Sequence, residues 1–363
     1  MISRIFAGAG RRALIMGSAA LLVTASSALL KVIGASDIAI FVTTALALAA
    51  LASVVSQATE QLGTRLSAGA TGIVQSALGN LPELFISVFA LRAGLVVVVQ
   101  TALIGSILAN SLLVLGIAFF VGGLRNGPQH FAARASRMTA MLLVLSVASL
   151  AIPTLGTAAG APDFGHARDL SVIVAIALLV VFAGSIPMAI RGTIGPAREH
   201  HHAAPRWSLA ACIVVLAFAG LGAALVSDWF VDALRPAMAS LKLSEEFVGL
   251  VIVAIAGNAV ENVVGITAAA RNEADLAVSL ILNSSLQVAL FLIPLLVLLS
   301  TVLGGQTLTL VAPTLLVAAL GLASILGALI IFDGESNYVE GLALIGLYFI
   351  IAASVWFGPP IPG

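Results

Sequence analysis

The amino-acid sequence predicts an all-α polytopic membrane protein with about eleven transmembrane helices, and three observations carry that reading. Of its 363 residues, 61% are hydrophobic and only 9% are charged; soluble domains average about 45–50% apolar and about 25% charged. The apolar runs are long and continuous, as membrane helices require. A polar motif also recurs at one fixed offset in the two halves of the chain. With mean hydropathy +1.17, intrinsic disorder and a nucleic-acid-binding class are excluded together. An aromatic content of 6% argues against a transmembrane barrel, which needs aromatic girdles. Net charge is zero, so no electrostatic footprint points to an acidic partner. The single cysteine, Cys212, cannot form an intrachain disulfide.

Taken in order, the first span covers 12–30 and follows basic Arg4, Arg11 and Arg12. It mimics a signal peptide, but its apolar stretch is too long for a signal core and further spans follow at once. It therefore reads as a retained helix. The remaining spans fall near 37–57, 69–93, 97–121, 137–157, 169–190, 207–226, 244–270, 274–300, 308–331 and 337–357. Each is long enough to cross about 30 Å of hydrocarbon. Polar loops near 122–136, 158–168 and 191–206 are the clearest breaks. With the N-terminus inside, inside segments hold 11 of the 16 Lys and Arg residues and outside loops hold 5. The positive-inside rule favours that orientation, with the C-terminus outside.

The chain repeats internally. Residues 79–83 read GNLPE and 257–261 read GNAVE, an offset of 178; the same offset aligns Gly105-Ser106 with Asn283-Ser284. The expected organisation is an extra N-terminal helix (1–33), a first five-helix repeat (34–192), an inter-repeat loop (193–206) and a second five-helix repeat (207–363). Five is odd, so the second copy must enter the membrane from the opposite side. Such inverted repeats are the architecture of many secondary transporters.

Only Glu83 and Glu261 place carboxylates near the middle of a predicted span, and they are equivalent in the repeat. A charge at mid-bilayer costs about 2.5–3.5 kcal/mol on insertion scales. The nearest basic residues in those spans, Arg92 and Arg271, lie more than two turns away. Either the glutamates are protonated or a cation neutralises them. A pair of neutral acids that merely tie two helices together is the bland alternative. Asn80 and Asn258 lie three residues earlier on the same helix face. Gly79, Gly257 and Pro82 loosen the helix and free backbone carbonyls. Carboxylate, amide and carbonyl oxygens on flexible backbone suit a hard cation. Ca²⁺ accepts 6–8 of them at variable geometry, whereas Mg²⁺ demands a tighter octahedron. No Cys or His lies at mid-membrane to favour Zn²⁺ or Cu⁺.

Ser106 and Asn110 on the fourth span, with Ser284 and Gln287 on the ninth, are further candidates for the cation path; their alternative role is helix packing. Gln75 and Gln100 lie nearer their span ends. Glu60, Asp333, Glu335 and Glu340 read as interfacial residues or as a cation vestibule. His200–His202 sit in a polar loop between Pro196 and Pro205 and read as solvated.

These residues resemble the calcium/cation antiporter superfamily, specifically its Ca²⁺/H⁺ exchanger branch. The resemblance rests on GNLPELFISVFAL, VVQTALIGSILANSLLVLG, GNAVENVVGITAAARNEADLAVSLILNSSLQVALFLIP and FDGESNYVEGLALIGLYFIIA, and on ATEQLG before the first repeat; it spans roughly 40–357. It implies two inverted five-helix halves with a cation site between them. Glu83 and Glu261 would be its principal ligands, Asn80 and Asn258 its motif asparagines, and Ser106, Ser284 and Gln287 its supporting positions. Asn262 stands where the branch commonly has His, and the 191–206 loop is basic rather than acidic.

The expected function is secondary active exchange of Ca²⁺ for protons at a two-glutamate site, without a resident cofactor. The bilayer is the only expected macromolecular surroundings, with no nucleic-acid partner. Na⁺-coupled or broader cation exchange is the nearest rival, although a third mid-membrane carboxylate is missing. An intramembrane hydrolase would leave the inverted repeat unexplained. A non-transporting structural protein gives no reason for two costly carboxylates. The Ala/Gly-rich, lysine-poor composition suggests a bacterial plasma membrane.

Overall fold

Backbone groups in hydrocarbon have no water to bond, so each spanning segment must close its hydrogen bonds internally. The computed structural model describes residues 11–66, 74, 77–160, 165–190, 207–303 and 306–357, almost all of them helical. The first part of the chain forms α1 (Arg11–Val32), α2 (Asp37–Gly63), α3 (Leu81–Arg92), α4 (Val96–Asn126), α5 (Ala133–Ala158) and α6 (Ala167–Ile190). The second part forms α7 (Leu209–Leu241), α8 (Glu245–Gly257), α9 (Ala259–Ala270), α10 (Ala274–Ser300), α11 (Thr314–Ile330) and α12 (Tyr338–Trp356). Two short strands, β1 (Gln129–His130) and β2 (Glu335–Ser336), pair antiparallel. The chain is a multi-pass membrane protein. Among the described residues eight helices are long and apolar enough to cross a bilayer, and the bent pair α8–α9 makes a ninth.

The structure departs from the expected spans in four places. The span expected at 69–93 breaks at Asn80, after which α3 begins. The span expected at 244–270 is broken at Asn258, and its two pieces meet at 67°. The expected 207–226 is a 33-residue helix, α7, whose polar end carries Asp228, Asp232 and Arg235. Hydropathy locates the membrane-buried part of a helix, and α7 continues past it. The expected 308–331 becomes helical only at Thr314.

The segment before Thr314 is extended, and side chains take over its hydrogen bonding. Ser300 Oγ accepts from Leu308 N–H (2.9 Å), and Ser171 Oγ accepts from Leu310 N–H (2.9 Å). Thr154 Oγ1 accepts from Ala312 N–H (3.1 Å) and donates to the Leu310 carbonyl (2.9 Å). Gln100 Nε2 donates to the carbonyls of Thr309 (2.9 Å) and Val311 (2.7 Å). Irregular backbone is tolerated in a membrane protein where protein supplies such partners. Gln100, a possible path residue by sequence, is a structural strut.

The packing is reciprocal. α3 lies on α7 and α9 on α2; α4 lies on α12 and α10 on α6; α2 packs on α7. Small residues let backbones touch where helices cross. A Cβ on Gly105 of α4 would stand 2.4 Å from the Leu250 carbonyl oxygen of α8. α1 docks on α2, and its Lys31 pairs with Asp232 (2.9 Å) beside the Trp229 ring.

Candidate cation site

Both glutamates stand in the same local frame. Asn80 caps the N-terminus of α3 and Asn258 that of α9, with φ/ψ of −93°/14° and −100°/12°. Glu83 and Glu261 each sit in the first turn that follows. Unpaired N–H groups and the positive end of the helix dipole gather there and favour negative charge. The GNxxE motif therefore encodes a helix start with its carboxylate in the first turn.

Glu83 is buried, and its Oε1 accepts from Asn258 Nδ2 (2.6 Å) and Ser106 Oγ (3.2 Å). Asn258 Nδ2 also reaches Ser106 Oγ (2.9 Å) and the Ala254 carbonyl (2.9 Å). Asn110 Nδ2 donates to Asn258 Oδ1 (3.4 Å) and Ser284 Oγ (3.0 Å). Asn80 Nδ2 donates to Gln287 Oε1 (3.5 Å). Glu261 is half-buried in the first turn of α9. Glu83 Oε2 is buried without a hydrogen-bond partner among the described residues. The sequence candidates thus form linked oxygen-rich clusters drawn from α3, α4, α9 and α10. Such a set offers two carboxylates, amide oxygens and hydroxyls to a hard cation.

Some contributors were not picked out by sequence reading. Ser111 and Ser285 hydroxyls meet at 3.2 Å beside the cluster; their only signal was polarity next to Asn110 and Ser284. Asn262, which the sequence singles out as standing in place of His, has its Oδ1 buried and unpartnered among the described residues. α4 has a π-helical turn at Ala109–Val114 and α10 one at Val288–Leu292. The repeat offset carries the first onto the second, save for one residue. A π turn widens the helix and redirects side chains, often at functional sites.

Other candidates fall elsewhere. Glu340 accepts from Asn337 N–H (3.1 Å) in the capping box of α12. Asp333 Oδ1 accepts from Glu335 N–H (3.1 Å), Glu335 faces His130, and Glu60 is exposed. Gln75 and His200–His202 lie outside the described residues.

Comparison with known proteins bears on the family and the fold. The family model described as sodium/calcium exchanger protein matches residues 36–191 and 211–357. A Ca(2+)/H(+) antiporter of Synechocystis sp. is 32% identical over 351 residues, covering 91% of this chain and 94% of its own. The Ca(2+)/H(+) antiporter ChaA of Bacillus subtilis is 33% identical over 312 residues, covering 84% and 88%. The solved structure of native YfkE superposes with a TM-score of 0.81 at 29% identity, covering 94% of this chain and 99% of that one.

Proposed function

Because the chain belongs to the sodium/calcium exchanger protein family, we propose that this transporter exchanges Ca²⁺ for protons, with Glu83 and Glu261 holding the two ions in turn. The relatives named Ca(2+)/H(+) antiporters support the substrates. The observation that carries the site is the bond from Asn258, in one motif copy, to Glu83, in the other. Reciprocal packing supports two inverted halves with the site between them.

Glu83 and Glu261 bind either Ca²⁺ or protons, not both. Ca²⁺ attracts both carboxylates and expels their protons; protonation removes the charge that holds Ca²⁺. Either ligand cancels the cost of buried charge and lets the halves rock. The empty, doubly ionised site keeps that cost and moves slowly, which enforces exchange rather than leak. Asn80, Asn258, Ser106, Asn110, Ser284 and Gln287 supply or orient neutral oxygens. In a bacterial plasma membrane, with the N-terminus inside and the C-terminus outside, a proton gradient drives Ca²⁺ outward.

The test is pH-driven uptake of radiolabelled Ca²⁺ into proteoliposomes, with a cation panel. Uptake that follows an imposed proton gradient at fixed Na⁺ supports the reading. Uptake that follows a Na⁺ gradient at fixed pH, and ignores the proton gradient, overturns it.

A further inference from the structure

Three segments meet: the connection 126–132 after α4, the α9–α10 corner at 269–275, and the connection 333–337 before α12. β1 and β2 pair with Gln129 opposite Ser336 and His130 opposite Glu335. Phe131 N–H donates to the Gly334 carbonyl (2.9 Å), and His130 Nδ1 lies 3.2 Å from Glu335 Oε1 at the exposed edge. Gln129 Nε2 and Asn126 Nδ2 both donate to the Ala269 carbonyl at 3.2 Å. Ala132 N–H donates to Asp275 Oδ1. One short stretch of the first half therefore grips the end of α9, the start of α10 and the loop before α12. The fit is close: a Cβ on Gly122 would stand 2.0 Å from Gln129 Oε1.

Two features make this clasp more than packing. The first is leverage. α9 carries Glu261 in its first turn and the gripped Ala269 carbonyl near its end. From Glu261 to Ala269 the helix rises about 12 Å at about 1.5 Å per residue, so a shift at Glu261 is delivered to the clasp by one rigid rod. The second is incomplete satisfaction. Gln129 is 1% exposed and Ser336 2% exposed. Both Gln129 Oε1 and Ser336 Oγ are buried without hydrogen-bond partners among the described residues. Residues opposite each other on paired strands point to the same face. Parting the strands would admit water to both oxygens and relieve their desolvation.

We infer that β1 and β2 form a breakable latch, keyed by Gln129, which closes one mouth of the cation path and opens once in each transport cycle. Movement of α9 links its release to the ligand on Glu261. The inference rests on the exchange reading above, since a latch needs a cycle to gate.

The test places Gln129→Cys and Ser336→Cys together in a Cys212→Ala background. Paired strand residues stand about 4.5–5.5 Å apart between Cα atoms, inside the disulfide range of about 4.4–6.8 Å. Ca²⁺ flux under a proton gradient is read in proteoliposomes after oxidation and again after dithiothreitol, beside the unaltered protein. Oxidation is expected to cut flux at least tenfold in the pair alone, with recovery on reduction. A disulfide verified by mass that leaves flux unchanged overturns the latch. Absence of proton-driven Ca²⁺ flux in the unaltered protein overturns the exchange reading instead. If the pair does not fold, amide hydrogen exchange on the unaltered protein decides. Residues 129–131 are expected to exchange much faster than the centre of α4, and equal protection overturns the latch.

Discussion

Gly257 lies against Glu83 so closely that a Cβ there would stand 2.7 Å from Glu83 Cγ and 3.0 Å from its Oε1. The first residue of one GNxxE copy is thus the floor on which the carboxylate of the other rests. Gly79, its repeat counterpart, has nothing among the described residues within 4 Å of the same construction. Gly257→Ala is expected to displace Glu83 and lower Ca²⁺ exchange by on the order of tenfold or more, as small misplacements at reactive sites do. Gly79→Ala is expected to stay near the parental rate. Initial rates of proton-driven uptake at matched protein density check the contrast, and equal rates for the two variants would remove this role from Gly257.

Glu83→Gln and Glu261→Gln keep the shape of the side chain and remove its charge and its proton. Each is expected to abolish exchange in everted vesicles while the protein still inserts. Robust pH-driven Ca²⁺ uptake by either variant counts against the two-glutamate site.

The hydrogen bonds around Glu83 rank their donors. Asn258 reaches the carboxylate at 2.6 Å and Ser106 at 3.2 Å. Bonds to charged groups contribute about 1.5–3 kcal/mol, about ten- to a hundredfold in affinity. Asn258→Ala should weaken Ca²⁺ binding by about that range and Ser106→Ala by less. Calorimetric titration in detergent measures both, and the reverse order would contradict the geometry.

Competition between ions fixes the sign of the pH dependence. If Ca²⁺ displaces one proton from each glutamate, its apparent affinity falls as pH falls, by up to about a hundredfold per pH unit while both are protonated in the Ca²⁺-free protein. Titration at two pH values, with proton release read from buffers of different ionisation enthalpy, gives the number directly. Binding that is independent of pH would exclude a shared site.

Gly105 and Gly249 let α4 and α8 cross backbone to backbone. A Cβ on Gly249 would stand 2.6 Å from the Val98 carbonyl oxygen. Overpacking of this kind typically costs about 1–3 kcal/mol. Gly105→Ala and Gly249→Ala should each lower the thermal midpoint in detergent, whereas Gly346→Ala, with open space around it, should not.

Much of this arrangement is legible in the residues themselves. Two carboxylates where charge is costly, repeated at one offset, single out Glu83 and Glu261, and helical spacing attaches Asn80 and Asn258. Ser106, Asn110, Ser284 and Gln287 stand out because almost everything around them is apolar. The break at Asn258 is harder to see: residues 244–270 are apolar enough for one helix, and hydropathy carries no information on direction. Gln100 misleads for a related reason. Its amide is as polar as a ligand's, and only tertiary contact shows that it binds the carbonyls of Thr309 and Val311. The clasp of Gln129 with Ser336 joins loops 207 positions apart, and neither loop has periodicity to read.

The extended stretch before α11 bears on how the chain is made. Its bare peptide groups depend on Gln100, Thr154 and Ser171, all synthesised before it. A ribosome therefore delivers this strap to helices already in place. A circular permutant starting at residue 207 would reverse that schedule, leaving the strap to wait in the bilayer without its acceptors and donors.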